Sequence, residues 1–379
     1  MKIALFTNSY LPYLSGISIA VRSLKDSLEK LGHKIFVVAP KYPDHKETDP
    51  QILSFPSLPA PYPGYRFVLP FSFNVYKKLK QEKIDLIHCH QPFGVGIASL
   101  LFARYLKVPF VYTYHTLFPR YSHHISFIPQ KFTKWLATNY LTFFCNQTDT
   151  IIAPSEMVKR YLLLTKVKKP IVVIPTGMEI SNSDHRSPNT ELRLKYNIPR
   201  NAKLLIYTGR LAPEKNIEFL LSVFPKIKEQ VENTYFLIVG SGPTEKNYRE
   251  MAKKISPSII FTGQLLHEEV VECCGIADLF VFSSITETQG LVLCEAKARS
   301  LPIVALFGGG IADVVRSGID GYIVSRNKEI FIDHVVRLLK DDELRKKMGE
   351  KAREDVLDRF ASNTVAKRME TVYNQLIKA

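Results

Sequence analysis

Two cations five positions apart, Arg210 and Lys215 in "YTGRLAPEKN", flank a proline-containing turn directly after an apolar run. Two carboxylates eight positions apart, Glu287 and Glu295 in "ETQGLVLCE", bracket Gly290 where a helix is expected to begin. Both cations can reach one anion at the mouth of a sheet. The first N–H groups of a helix, here near Gly290 and Leu291, lack intrahelical acceptors and carry the positive end of the helix dipole, which favours a phosphate. Two fixed cations and a helix start suit a diphosphate, above all one that gains charge as it departs. Glu295, further along the same helix, can accept two hydrogen bonds from a vicinal diol such as a ribose. Glu287, just before the helix, faces whatever is attached to the far phosphate. Together these residue types describe a holder for a nucleotide-linked sugar. Taken singly, a Glu pair or an Arg and a Lys at such spacings would be ordinary solvated surface.

Such groups need a frame that brings distant segments together, and hydrophobic periodicity supplies one. In the first half, "KIALFT", "KIFVVA", "IDLIHC", "PFVYTY" and "DTIIAP" read as buried strands. Between the first two, Val21, Leu24, Leu28 and Leu31 fall at three- and four-residue steps on one helical face, and Gly32 ends the helix. The second half repeats the scheme with "KLLIYTG", "TYFLIVG", "SIIFTG", "DLFVFS" and "PIVAL". Alternation of this kind predicts an α/β protein with parallel sheets, right-handed crossovers and helices on both faces. Two sets predict two Rossmann-like domains facing a cleft, residues 1–175 and 176–359, divided by the polar stretch "TGMEISNSDHRSPNT". The last segment, 360–379, is helical and basic and is expected to pack back on the first domain.

In doubly wound sheets ligands bind beyond the carboxyl ends of the strands. "FTNSYLPYLSGIS" follows the first strand and leads to a helix opened by Gly16; "YTYHT" places His115 just past another strand. Arg210, Lys215 and the "SSITETQG" stretch occupy the same kind of position in the second domain. Other segments carry weaker signals. "GSGPTE" at Gly240 is half a dinucleotide fingerprint without the third glycine, and reads as a tight strand-to-helix turn. "FGGGIAD" at Gly308 suits a phosphate or a turn into a helix equally well. His88 and His90 in "HCH" sit at a strand end. No D-x-D triplet occurs, so the carboxylate pair of a Mg²⁺-bound sugar nucleotide is missing; compensation by Arg and Lys predicts chemistry without a metal or other cofactor.

Charge is divided unevenly. Residues 1–175 hold 22 basic and 9 acidic side chains, a net of +13, whereas residues 176–379 hold 29 and 27, a net of +2. An anionic partner would be drawn to the first half alone. No recognised RNA- or DNA-binding motif accompanies the charge, so a nucleic acid is not the expected partner. A membrane surface is. "HHISFIPQKFTKWLATNYLTFF" mixes Phe127, Ile128, Phe132, Trp135 and Leu136 with Lys131 and Lys134, a pattern suited to an interfacial helix. "PYPGYRFVLPFSFNVYKKLKQEK" sets aromatic residues beside a basic run ending at Lys83. No apolar run approaches the roughly 20 residues that span a bilayer, and "MKIALFTNSY" turns polar too soon for a signal peptide. The five cysteines form no C-x-x-C pair, which suits a reducing compartment. The expected location is cytoplasmic, peripheral on the inner face of the cell membrane.

The ordered set "SGIS", "YHT", "GRLAPEKN", "VGSGP", "FTGQL" and "ETQGLVLCEAKA" resembles the family-4 retaining glycosyltransferases of the GT-B fold, from residue 3 to about 360. Their Glu–seven residues–Glu signature matches Glu287 and Glu295. "YPGYRFVLPF" and "FVYTYHTLFPRYSHHI" are similar to bacterial 1,2-diacylglycerol glucosyltransferases. The resemblance implies transfer of a hexose, glucose, from a UDP-sugar to a membrane lipid such as diacylglycerol. It implies that Glu287, His115, Arg210 and Lys215 are catalytic, with Glu287 and His115 on the donor sugar and Arg210 and Lys215 on the diphosphate. Leu265, Gln289, Gly290, Leu291 and the Gly16 loop would complete the donor site, with Glu295 on the ribose. Lys131, Lys134 and Trp135 would meet the membrane and acceptor. Alternatives are a phosphatidylinositol mannosyltransferase using GDP-mannose, or a UDP-sugar 2-epimerase, which needs no basic acceptor face. The family often has a Pro-Glu pair after its late glycine turn, where this chain has Ala312 and Asp313, so a role for Asp313 does not carry over.

Overall fold

The computed structural model describes residues 1–379 except 13, 14, 43, 44, 46, 60–65, 69, 70, 118–128, 181–189 and 379. The chain forms two compact units, residues 1–179 with 360–379, and residues 180–359.

The first unit begins β1 (Lys2–Phe6), α1 (Gly16–Lys30), β2 (Lys34–Pro40), β3 (Ile52–Phe55), β4 (Ser57–Pro59), β5 (Arg66–Val68) and α2 (Phe73–Glu82). It continues β6 (Leu86–Cys89), α3 (Val95–Leu106), β7 (Phe110–Thr113), α4 (Gln130–Cys145), β8 (Thr150–Ala153), α5 (Glu156–Leu164) and β9 (Ile171–Val173). Seven strands pair in parallel in the order β3-β2-β1-β6-β7-β8-β9, and β4 and β5 make a separate antiparallel pair. All five runs read as strands in this half are strands; the sequence reading passed over β3, β4, β5 and β9, which lie at the sheet edges or in that separate pair and are only three or four residues long.

Alternation along the strands loads both faces. Ile3 and Leu5 of β1 join Val21, Leu24 and Leu28 of α1, whereas Ala4 and Phe6 join Phe102 of α3 and Phe144 of α4. Full burial of each such side chain contributes about 1.5–3 kcal/mol. The face with α1 is completed by the chain's last helix, α14 (Ser362–Lys378): Val365, Ala366, Met369, Val372 and Tyr373 all sit in that core. Helix α14 is also tied by Glu370 to His33 at 2.8 Å and by Arg368, which donates to the Val173 carbonyl at 2.8 Å. One helix cannot cover a seven-stranded face, so the apolar stripe of the C-terminal segment finds its partner there.

The second unit runs α6 (Thr190–Lys195), β10 (Lys203–Thr208), α7 (Ile217–Gln230), β11 (Thr234–Val239), α8 (Glu245–Ile255), β12 (Ile259–Gly263), α9 (His267–Gly275) and β13 (Leu279–Phe282). It ends α10 (Leu291–Ala298), β14 (Ile303–Leu306), α11 (Ile311–Val314), β15 (Gly321–Val324), α12 (Lys328–Lys340) and α13 (Asp342–Arg359). Its six strands are parallel in the order β12-β11-β10-β13-β14-β15. The order reverses between β10 and β13, and that switch point is where a doubly wound sheet opens a crevice at its carboxyl edge. The five cysteines are buried and unpaired with one another. Among the described residues no helix is long and apolar enough to cross a membrane.

Candidate active site

The two segments singled out in the second half leave adjacent strands on either side of that switch point. After β10 the chain turns at Gly209, with φ at +143°, exposes Arg210, and forms a short 3₁₀ turn over Pro213–Lys215. After β13 it crosses Ser283 and Ser284 into the stretch that carries Glu287, then starts α10 at Gly290, whose φ of +88° a side chain would strain. Lys215 Nζ donates to the Glu287 carboxylate, and both side chains are largely shielded, 17% and 16% exposed. Lys215 and Glu287, 72 residues apart in the chain, therefore share one site, with Arg210 on the same turn as Lys215.

Neighbouring backbone fixes both turns. The Ser283 hydroxyl lies 2.9 Å from the carbonyls of both Lys215 and Asn216, and Ser284 donates to the Glu214 carbonyl at 3.4 Å. Both serines are fully buried, so their hydroxyls are anchors for the cationic turn. Nothing in their type announces this role; only their place at the end of "DLFVFSS", facing the neighbouring strand's loop, does. The "GSGPTE" turn lies behind the Arg210 turn: Leu211 N–H donates to the Ser241 carbonyl at 2.9 Å, and a Cβ on Gly240 would stand 2.0 Å from the Gly209 carbonyl oxygen. It is the strand-to-helix turn the sequence suggests. "FGGGIAD" has a comparable task toward Glu287. Gly310 N–H donates to the Glu287 carbonyl at 2.8 Å, and a Cβ on Gly309 would lie 2.4 Å from that same oxygen. The turn into a helix that the sequence suggests forms, over α11.

Further along α10, the partly buried Glu295 carboxyl is pushed above its usual range by burial, with His267 opposing that shift. His267, at the start of α9, approaches it at 3.9 Å. This histidine was not singled out in the sequence; it follows the "FTGQL" turn by two residues, and Leu265 of that turn is partly buried at the carboxyl end of β12. Gln289 is buried and directs its amide at Cys294 Sγ, 4.0 Å away. Leu291 opens α10 and is partly buried. Asp313 sits in α11, and its carbonyl accepts from Arg359 at 2.9 Å.

In the first unit, Ser15 caps α1 at Gly16 through a reciprocal capping box with Ser18, its hydroxyl accepting from Ser18 N–H at 3.1 Å. A Cβ on Gly16 would meet nothing within 4 Å, so the helix start is uncrowded. His115 follows β7 and pairs with His90, which follows β6. In α4, Phe132, Trp135 and Leu136 are 52%, 59% and 51% exposed, Lys131 and Lys134 are exposed beside them, and the Phe132 and Trp135 rings stack at 5.8 Å. These aromatics are not core, although the helix is otherwise amphipathic. Phe127 and Ile128 lie outside the described residues.

The model "Glycosyltransferase Family 4" matches residues 14–182 and "Glycosyl transferases group 1" matches residues 188–355. An alpha-monoglucosyldiacylglycerol synthase of Acholeplasma laidlawii is 31% identical over 100% of this chain and 98% of its own. One from Streptococcus pneumoniae is 34% identical over 80% of this chain and 71% of its own. Among solved structures, Anabaena HepE in complex with UDP and glucose superposes with a TM-score of 0.75 at 17% identity, covering 99% of this chain and 100% of that one.

Proposed function

Because the chain belongs to the group 1 and family 4 glycosyltransferases of the GT-B fold, we propose that it transfers glucose from UDP-glucose to a membrane lipid, 1,2-diacylglycerol, with retention at the anomeric carbon and without a metal. The observation that carries this is the near-complete overlap with a relative named for glucosylation of diacylglycerol, joined to the cation–carboxylate pairing of Lys215 and Glu287 at the sheet's switch point.

In this reaction Arg210, Lys215 and the first N–H groups of α10 neutralise the departing diphosphate, an electrostatic task that fixed cations perform without reorganising. Lys215 is paired with Glu287; a bound diphosphate gives it a second anion, and Glu287 orients sugar hydroxyls. The acceptor hydroxyl attacks on the face the diphosphate leaves, the glycosidic C–O bond forms as the C–O bond to phosphate breaks, and the leaving phosphate takes the acceptor proton. Glu295 accepts from the ribose hydroxyls, and Leu265, Gln289, Gly290 and Leu291 shape the surrounding pocket.

The test is incubation with UDP-glucose, UDP-galactose, UDP-N-acetylglucosamine and GDP-mannose, each with diacylglycerol or phosphatidylinositol vesicles, with products identified by mass spectrometry and proton NMR. An α-linked glucosyl diacylglycerol is expected. A β-linked product would exclude retention, a mannosylated inositol lipid would exclude the donor and acceptor proposed, and conversion of UDP-N-acetylglucosamine alone would point to an epimerase.

Access to a lipid acceptor calls for membrane docking, which we assign to the basic first unit through α4. Each Lys or Arg at an anionic surface contributes about 1 kcal/mol, and Trp135 and Phe132 add apolar contact at the headgroup boundary. Co-sedimentation with phosphatidylglycerol vesicles should exceed that with neutral vesicles and fall at high salt, where screening shortens to about 3 Å at 1 M. The double variant Lys131→Glu, Lys134→Glu should detach the protein while sparing donor hydrolysis. Equal binding to neutral and anionic vesicles would defeat this docking mode.

A further inference from the structure

Helix α9 packs against α10, and the first residue of α9 reaches the second turn of α10. His267 Nδ1 lies 3.9 Å from a Glu295 carboxylate oxygen, with the two side chains 53% and 18% exposed. The approach is built into the second unit. β12 ends at Gly263 in a left-handed conformation, φ +76°, and the Leu266 N–H donates to the Glu269 carboxylate at 3.0 Å. That cap fixes the start of α9 and with it His267.

The other charged and titratable groups around α9 and α10 are engaged elsewhere or carry no charge. Burial brings the Cys294 thiol to about 12 and holds Cys274 well above its usual value, so both are neutral. Arg299, one turn beyond Glu295, exerts its charge on Cys274. Lys297 donates to Asp320 and Asp355, and from α13 Arg353 donates to the Ala298 carbonyl and Arg359 to Asp355. Glu269 meets Lys195 at 3.7 Å besides its cap bond. With Glu268 in the same first turn, it offsets the positive end of the α9 dipole, which disfavours a cation at His267. Among the described residues, His267 is the base that pairs with Glu295.

A carboxylate shielded from water is disfavoured as an anion, and a neighbouring cation restores it. Burial raises Glu295 and His267 opposes the rise. The charge state matters for a vicinal diol: the ionised carboxylate accepts on both oxygens, whereas protonation turns one of them into a donor. At 3.9 Å the imidazole is within ion-pair reach and beyond hydrogen-bond distance. It therefore favours the anion without occupying the lone pairs that hydroxyls need.

We infer that His267 is a positioning residue for the nucleotide: from the start of α9 it holds Glu295 as the anion that takes both ribose hydroxyls. The inference rests on the ribose role proposed for Glu295. It makes donor affinity depend on pH. As pH falls, protonation of Glu295 removes the acceptor, and without His267 that loss sets in at higher pH.

Calorimetric titration of the full chain with UDP, without acceptor, reads affinity apart from turnover. The dideoxy analogue of UDP, which lacks the ribose diol, shares the titration of its phosphates and serves as reference. At mildly acidic pH His267→Gln should weaken UDP about tenfold, the scale of a hydrogen bond to a charged group, and change the analogue little. His267→Lys, which keeps a cation, should recover most of the loss. In a Glu295→Gln background His267→Gln should cost nothing further. In turnover the loss should appear in KM for UDP-glucose and not in kcat. Carboxyl ¹³C spectra of glutamate-labelled protein, with Glu295 assigned through Glu295→Gln, should show Glu295 titrating at higher pH in His267→Gln. His267 is half exposed, so these variants should keep the fold, which their melting temperatures check. Equal loss for UDP and the analogue in His267→Gln, or an unmoved Glu295 titration, overturns the inference. Unweakened UDP binding in Glu295→Gln would instead remove the ribose role of Glu295, whereas the pairing itself stands or falls on the carboxyl titration.

Discussion

Lys215→Ala should lower turnover at saturating donor by at least about a hundredfold, and Arg210→Ala by a similar factor. Removing one group that stabilises charge developing in a transition state costs about 3 kcal/mol, and each 1.36 kcal/mol is tenfold in rate. Lys215 is the more exacting position. Its turn is pinned by the Ser283 hydroxyl, it is only 17% exposed, and its ammonium already faces a carboxylate. Its loss also leaves Glu287 shielded from water without its partner. The two effects separate in a double-mutant cycle: if Lys215 acts on the diphosphate, Lys215→Ala, Glu287→Gln together should remain far below Glu287→Gln alone. If Lys215 only neutralises Glu287, the double variant should equal Glu287→Gln. Initial rates of glycolipid formation decide between these, and near-unaltered rates in either Lys215→Ala or Arg210→Ala would remove the cationic clamp.

Lys297→Ala should destabilise the second unit by about 3–5 kcal/mol, the range for breaking a buried ion pair by removing one partner. Lys297 is completely buried on α10. Its ammonium donates to the Val314 carbonyl at 2.7 Å, to Asp320 at 3.0 Å and to the Asp355 carboxylate. Arg316 reaches Asp320 and Asp355 at 3.0 and 3.1 Å, and Arg359 donates to Asp355 at 2.7 Å. Alanine would leave two buried carboxylates to Arg316 and Arg359 alone, and a cavity where the lysine stem was. Since total stabilities are about 5–15 kcal/mol, the urea midpoint should drop sharply. Adding Asp320→Asn and Asp355→Asn should restore part of it by neutralising what Lys297 had balanced. An unchanged midpoint would mean the cluster is solvated. The same cluster sets an acid limit. Burial alone would raise Asp355, but its hydrogen bonds with Arg359 and Lys297 hold it below its ordinary 3.8. A depressed folded value stabilises above the unfolded value, and that stability fades as pH falls from about 4 through the lower folded value. Denaturation midpoints measured downward from pH 5 should therefore fall faster in the unaltered protein than in the triple variant.

Lys297 also shows where sequence reading ends. In "CEAKARS" it looks like any helical lysine, because one-dimensional periodicity reports amphipathicity and not the partners a long side chain finds. Its burial is set by Asp320 and Asp355, 23 and 58 residues further on, and only folding brings those carboxylates to it. By itself the sequence determined the alternation of strands and helices, the parallel sheets and the strand ends on which Arg210, Lys215, Glu287 and His115 lie, since periods of 2 and 3.6 are properties of local chain. It missed β3, β4, β5, β9 and β15, whose three or four residues are too short to display a period. The pairing of Lys215 with Glu287, the serine hydroxyls that hold the cationic turn, and the Gly309–Gly310 brace under Glu287 were decided by tertiary structure. So was the His90–His115 bond: the chain sets both rings at strand ends, but which nitrogens meet depends on the lateral register of β6 against β7, a geometry no local pattern encodes.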